Sequence, residues 1–329
     1  MAGPDAPFAI RFRQAGGPEV LAAEPIVIGE PAVGQVRLRH EAVGLNFIDT
    51  YFRTGLYPAE LPSGLGHEAA GIVEALGDGV TAFHVGKRVG YFTGPLGAYA
   101  THRLVEAERL VKLPDGISSE AAAAAMLKGC TAEYLIERCA RVEPGMTVLV
   151  HAAAGGVGSI AVQWLKAIGA RVIAHSGSAA KARIAAGLGA DLSLDCPLAE
   201  LADKVREATG GDGVPVVLDG VGAASWEASL ASVARRGLIV SYGNASGPVP
   251  PVPLLELSRR GSLFVTRPTL FDYCATPDEM RASAARLFAM MQSGQVEVRI
   301  GARFPLAAAA EAHRALEARA TTGSTVLIP

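Results

Sequence analysis

The chain is short of several things, and each shortage removes a class of function. It has no basic surplus: 30 Lys and Arg against 32 Asp and Glu leave a formal net charge of −2, which offers no footprint for nucleic acid. It has no run of about 18 uncharged apolar residues, so no membrane span is expected. Its first residues, MAGPDAPFAIRFRQ, lack the charged-then-apolar order of a secretory signal. Its 4 cysteines, Cys130, Cys139, Cys196 and Cys274, form no CxxC pair, so neither a zinc knuckle nor a redox dithiol is indicated. Isolated thiols of this kind suit a reducing cytoplasm, where they behave as small buried hydrophobes. No repeat and no low-complexity linker is visible.

What is present is apolar and rich in turns. Half of the 329 residues are hydrophobic and 38 are glycine, which suits an α/β chain of about two domains. The most informative stretch is 147–170, TVLVHAAAGGVGSIAVQWLKAIGA. A β-branched run reads as a buried strand, a small-residue turn follows, and a helical pattern runs to Gly169. Strand, glycine turn and helix form the first unit of a dinucleotide-binding fold. The turn, Ala153-Ala154-Gly155-Gly156-Val157-Gly158, is a GxGxxG pattern with alanine at its first place. Gly155 lets the backbone approach a pyrophosphate, Gly158 lets the helix pack on the strand, and the free N–H groups at the helix start face the phosphate.

The rest of the chain divides around this unit. Residues 1 to about 125 read as short strands, such as 34–40 and 71–76, broken by Gly and Pro turns. Ser118 caps a helix start over 118–127. Strands are then expected at 147–151, 171–175, 191–194, 215–219 and 238–242, and helices at 157–168, 179–188, 198–209 and 223–234. This alternation implies a parallel sheet covered on both faces. A last strand is expected over 261–266, then helices over 277–293 and 306–320 and a closing strand over 325–328. The tail is expected to return to the first domain.

The second strand of the nucleotide unit ends Ala174-His175-Ser176-Gly177-Ser178, with no acid before Asp191. An acid there would bond a ribose 2′-hydroxyl. Its absence, with Lys181 and Arg183 following, favours a 2′-phosphate and therefore NADPH. His175 is assigned no role.

The segment Asn46-Phe47-Ile48-Asp49-Thr50-Tyr51-Phe52-Arg53-Thr54-Gly55-Leu56-Tyr57 resembles the N-F-x-D-x-Y-x-R-x-G-x-Y signature of NADPH:quinone oxidoreductases. These form the zeta-crystallin-like, zinc-free branch of the medium-chain dehydrogenases/reductases. The stretches GLGHEAAGIVEAL (64–76), 152–158, VSYGNA (240–245) and ARATTGSTVLIP (318–329) resemble the same family. The resemblance runs nearly end to end. It implies a GroES-like catalytic domain, 1–126 and 267–329, interrupted by a Rossmann domain, 127–266.

Relatives that oxidise alcohols hold zinc through an early cysteine and the His-Glu of a GHE motif. Here Asn46 stands in that cysteine's place, and 89–99 lacks the four-cysteine structural lobe. A tetrahedral site needs about three protein ligands, so no metal is expected, and His67 and Glu68 are read as structural. A quinone gains negative charge on oxygen as it accepts hydride and needs hydrogen-bond donors. The resemblance places Asn46 and Tyr51, on one loop, at the nicotinamide and substrate, with Tyr57 and Tyr134 as weaker pocket-wall residues. It places Thr131, Tyr242 and Asn244 toward the nicotinamide, Ser176, Gly177, Lys181 and Arg319 toward the 2′-phosphate, and Phe264 and Thr266 among further cofactor contacts. Asp49 is read as a structural acceptor. Two residues depart from relatives: Cys196 replaces a tyrosine near the adenosine, and Glu133 replaces an aromatic.

The expected activity is NADPH-dependent quinone reduction in the cytoplasm. Alternatives are reduction of an activated C=C bond and a non-catalytic NADPH-binding role. Ser262-Leu263-Phe264-Val265-Thr266 reads as an apolar edge strand, and a two-fold homodimer through it is expected.

Overall fold

A computed structural model describes residues 6–329; the expectations for residues 1–5 lie outside it. The chain divides into two units. One holds the chain up to Lys128 with Cys274–Gln292 and Val298–Pro329; the other holds Gly129–Tyr273 and Ser293–Glu297.

The first unit is built on strand Gln35–Leu45, whose inward residues Val36 and Leu38 are fully buried. A seven-stranded sheet runs Ile300–Pro305, Ser324–Ile328, Gln35–Leu45, Ala69–Leu76, Arg88–Tyr91 and Val111–Lys112, with His102–Glu106 paired to Gln35–Leu45 off that path. The chain's last strand, Ser324–Ile328, thus lies antiparallel beside Gln35–Leu45, pairing Thr325 with Leu45. A separate three-stranded sheet joins Ala22–Pro25, Phe8–Phe12 and Ser63–Gly64. Their apolar faces share one core with Leu65, Tyr99, Leu306, Ala312 and Leu327.

The second unit is a six-stranded parallel sheet in the order Leu192–Leu194, Arg171–His175, Thr147–Val150, Val214–Asp219, Val233–Ser241, Phe264–Thr266. Helices Gly156–Ala167, Ala179–Gly187 and Leu198–Ala208 follow their expected positions within two residues. Ser118 acts as expected: its Oγ accepts from Ala121 N at 3.1 Å ahead of helix Ser119–Glu133.

Three expectations are corrected. The helix expected over 223–234 covers only Trp226–Ser232, and a strand begins at Val233. The alanines before it favour helix, but Val221 N and Gly222 N are held in a turn by the Asp219 carboxylate. The helix expected over 306–320 is a 3-10 turn, Leu306–Ala308, followed by α-helix Ala309–Glu317. The edge strand is Phe264–Thr266 alone; Ser262 has φ +56 and Leu263 is buried in the core. Helix Ser119–Glu133 also continues into a π-helical turn, Tyr134–Cys139, that no sequence period announces.

Leu263 and Val265 should therefore respond differently to lysine. Leu263 is 7% exposed and Val265 38%. Leu263→Lys buries a charge among apolar neighbours and should lower unfolding free energy by about 3 kcal/mol or more. Val265→Lys, measured below the concentration at which the chain would associate, should change it by about 0.5 kcal/mol or less. Urea melts that rank the two equally would contradict this placement.

Candidate active site

The phosphate turn of the second unit is shaped by backbone contact. Ala152 adopts φ +50, and Gly155 caps helix Gly156–Ala167 in an extended conformation. A Cβ on Gly158 would lie 2.3 Å from the Ala152 carbonyl oxygen and 2.9 Å from Ala153 Cα, so only glycine allows this approach. The first N–H groups of the helix have no intrahelical partner.

Beneath the turn lies a buried polar frame that the sequence reading missed. Ser225 Oγ and Ser229 Oγ donate to the Asp219 carboxylate at 2.6–2.7 Å. With its hydrogen so used, Ser229 Oγ accepts from His151 Nε2 at 3.0 Å. Burial holds His151 down to about 4, so it stays neutral at physiological pH. His175, which had no assigned role, donates from Nε2 to the Cys196 carbonyl at 3.0 Å. Polar residues closing apolar strands were the only sequence signal for this frame.

At the end of strand Arg171–His175, Ser176 is buried and its Oγ has no hydrogen-bond partner. Gly177 is exposed. Ser178 caps the next helix, its Oγ accepting from Lys181 N at 3.4 Å, and Lys181 is half-buried. Asp191 is occupied by Lys166 Nζ, at 2.8 and 2.9 Å, and by Val172 N.

At the far strand ends, Arg267 was also missed. Its Nη1 donates to Ser241 O at 2.7 Å. With the Asn244 amide turned accordingly, Asn244 Oδ1 accepts from Arg267 Nη2 at 3.1 Å and Nδ2 donates to Gly243 O at 3.0 Å. Tyr242 N donates to Asp219 O, Thr131 is buried, and Thr266 pairs with Val240. Phe264 is 62% exposed. Tyr134 is packed as a core ring, stacked on Tyr273 at 4.5 Å. Glu133, at the expected pocket rim, instead binds Arg138 through both oxygens at 2.9 and 2.7 Å.

In the first unit the signature segment is a helix, Phe47–Thr54, and not the expected loop. Asn46 is its N-cap in a capping box with Asp49, whose Oδ2 accepts from Asn46 N at 2.9 Å. Asn46 Nδ2 donates to Glu68 Oε2 at 2.8 Å, and Glu68 Oε1 accepts from Leu127 N at 2.6 Å. Lys128 Nζ lies 3.8 Å from Glu68, an ion pair at the edge of contact. Burial pushes the Glu68 carboxyl up and the Lys128 ammonium down. His67 Nδ1 donates to Gly94 O at 3.0 Å. His67 and Glu68 thus tie different segments, and among the described residues no cluster of three His, Cys, Asp or Glu is arranged for a metal.

One turn along, Tyr51 is buried with its ring edge-on to Tyr57 at 5.2 Å and tilted to Phe47 at 5.9 Å. Asp49 works as the expected acceptor. Tyr99 Oη donates to its Oδ2 at 2.8 Å and receives His313 Nε2 at 3.1 Å. Arg53 Nη1 donates to His313 Nδ1 at 3.0 Å, and Arg53 binds Glu317 with both nitrogens at 2.9 and 2.6 Å. Burial, then the Arg53 charge, hold His313 down to about 3, so the ring is neutral, and the Arg53 donation to Nδ1 leaves its single hydrogen on Nε2. Arg319 is exposed, two residues beyond Glu317.

Known proteins share this architecture. Residues 32–115 match the alcohol dehydrogenase GroES-like domain and residues 156–289 the zinc-binding dehydrogenase family. A quinone oxidoreductase of Pseudomonas aeruginosa is 53% identical over 97% of this chain and 99% of its own. A 2-haloacrylate reductase of a Burkholderia species is 43% identical over 95% and 96%. The structure of Escherichia coli quinone oxidoreductase complexed with NADPH superposes with a TM-score of 0.95 at 46% identity, covering 98% and 100%.

Asp49 provides a pH test. Burial raises its folded pKa from 3.8 to about 7, against Tyr99, the Asn46 N–H and Lys128, with Glu68 adding to the rise. The folded state therefore binds this proton more tightly than the unfolded chain does. Stability from the bound proton is present below pH 3.8 and is lost as pH rises to about 7. Across that window the wild type should lose more unfolding free energy than Asp49→Asn, which cannot titrate. Equal slopes in urea titrations of the two proteins would refute this.

Proposed function

The chain belongs to the family of quinone oxidoreductases, and from that premise we propose that it is an NADPH-dependent reductase of quinones that works without a metal. The observation that carries the cofactor choice is the acid-free end of strand Arg171–His175, with the buried Ser176 Oγ, which has no hydrogen-bond partner among the described residues, and with Lys181 in the first turn of the helix that follows. A carboxylate there would repel a 2′-phosphate; a hydroxyl and a cation receive it. Gly158 and the start of helix Gly156–Ala167 fit the pyrophosphate, because no Cβ fills the approach.

NADPH, when bound, supplies the hydride. The chain's own residues orient and stabilise. Glu68 Oε2 takes one hydrogen of Asn46 Nδ2 and so fixes the amide plane, leaving the second hydrogen as a directed donor. Tyr51, packed by Phe47 and Tyr57, carries the other donor on the same helix. Donors held rigidly before reaction lower the cost of charge developing on a substrate oxygen. Metal independence is supported by Asn46 in the place of a cysteine ligand and by the commitments of Glu68 to Asn46 and Leu127.

Reduction of an activated C=C bond is a second reading, favoured by the similarity to the 2-haloacrylate reductase. The same donors would stabilise an enolate. Assembly as a homodimer is part of the proposal: strand Phe264–Thr266 ends the sheet, and Phe264 and Val265 are exposed on it. Among the described residues no helix is long and apolar enough to cross a membrane, and we assign the cytoplasm on the four free cysteines.

Three measurements test the reading. NADPH oxidation should be rapid with simple benzoquinones and slow with NADH; comparable rates with both would overturn the cofactor choice. Lys181→Ala should weaken NADPH binding by about 1.5–3 kcal/mol, the value of a charge-assisted contact, and leave NADH binding nearly unchanged. Tyr51→Phe should lower kcat by roughly tenfold or more at unchanged NADPH affinity, because its hydroxyl acts on charge that develops during transfer.

The dimer has its own test. Wild type should sediment as a dimer at micromolar concentration and Val265→Lys as a folded monomer. A monomeric wild type would refute the edge-strand assembly.

A further inference from the structure

Within the first unit, helix Pro277–Gln292 turns one face to a groove. Arg281, Ala284, Ala285, Phe288, Ala289 and Gln292 line it, at the spacing of a single helical stripe. From Arg281 to Gln292 the stripe covers about 16 Å of helix. The opposite wall includes Phe83, Leu110, Val111 and Lys112. Phe83 and Leu110 belong to the apolar core of this unit, so the floor of the groove is continuous with that core. The helix is fastened here by Arg281 Nη2, which donates to Glu108 O at 3.3 Å, and by Thr93 Oγ1, which donates to Met280 Sδ at 3.4 Å.

The cavity holds about 630 Å³, a volume within the range of small-ligand pockets. Three alanines on the stripe keep it open, where larger side chains would fill it. Ala284 and Phe288 are buried, while Ala285 and Ala289 are exposed. The charge is one-sided: the two charged residues of the lining, Lys112 and Arg281, are both cations. Lys112 Nζ lies 5.8 Å from the centre of the Phe83 ring and makes no ion pair among the described residues. Arg281 Nη1 reaches Asp278 Oδ1 at 3.2 Å, but that carboxylate side chain is 97% exposed, and an exposed pair is worth little. A second copy of the chain docked here about a two-fold axis would set these cations against themselves. An anion neutralises them.

We propose that this groove binds a single-chain fatty carboxylate, its head group meeting Lys112 and Arg281 and its alkyl chain lying on Ala284, Ala285, Phe288 and Ala289. None of these residues is assigned to the cofactor or to the reducible substrate. Burial of the chain supplies affinity. The cations select an anionic head over a neutral or positive one.

The test is calorimetric titration of the full-length protein with octanoate, decanoate, 1-decanol and decyltrimethylammonium, each below its micellar concentration. Decanoate should bind at one site per chain, 1-decanol about threefold more weakly and the ammonium more weakly still. Decanoate should bind about tenfold more tightly than octanoate, from two further buried methylenes. Lys112→Ala and Arg281→Ala should each weaken decanoate by about threefold and leave 1-decanol unchanged. Ala289→Trp should fill the groove and weaken both ligands by about tenfold or more. Ala282→Trp, exposed on the same helix but outside the lining, should change neither. Thermal melts show whether Ala289→Trp is folded; if it is not, Ala285→Leu is the smaller plug that takes its place. Decanoate that does not bind the wild type, or binds the plugged variant as tightly, overturns the proposal. Equal affinity for decanoate and decyltrimethylammonium does so as well. A wild-type dimer that Ala289→Trp dissociates in sedimentation would make the groove an interface between copies, and the proposal would fall.

Discussion

The first unit depends on one buried carboxylate. Glu68 is fully buried, and its two oxygens receive Asn46 Nδ2 and Leu127 N, with Lys128 nearby. It joins the cap of one helix to the middle of another. A buried ion pair contributes little net stability, but removing one partner strands a charge and is strongly destabilising. The surrounding backbone is shaped to admit it: a Cβ on Gly44 would lie 2.3 Å from Glu68 Oε2 and 2.3 Å from the Ala123 carbonyl oxygen. A residue that in zinc-bearing relatives stands beside a metal here has the bond donors of a structural bracket.

The second unit uses the same device at its strand ends. Asp219 gathers Ser225, Ser229, Val221 N and Gly222 N, and through Ser229 it steadies His151 below the phosphate turn. Ligand groups on open α/β sheets sit at these carboxyl ends. A rigid polar frame there lets the turn above keep an open backbone without collapsing.

The signature helix carries its proposed donors and its scaffolding at helical spacing. Asp49 and Arg53, four apart, are both buried and both reach His313, Asp49 through Tyr99 and Arg53 directly. Tyr51, between them, takes another face and packs on Phe47 and Tyr57. Asp49 and Arg53 thus anchor the helix that carries Asn46 and Tyr51. Mutational losses at Asp49 or Arg53 would report on the frame rather than on contact with substrate.

The sequence by itself determined the elements with strong local signals. The glycine turn at 153–158, the β-branched strands and the alanine-rich helices are set by backbone sterics and periodicity, which act over a few residues. The missing cysteine ligand and the acid-free strand end were equally plain, since a side chain that is absent cannot act. Tertiary structure decided what rests on distant partners. Gly247 O and Ser246 Oγ take the N–H groups of Ala223 and Ala224 and override the helix propensity of those alanines. Leu263 was drawn into the core by packing, which a five-residue apolar run does not reveal. Asn244 was claimed by Arg267, and Arg53 found Glu317 from 264 positions away. Such hydrogen bonds are chosen by three-dimensional proximity, and no local pattern encodes them.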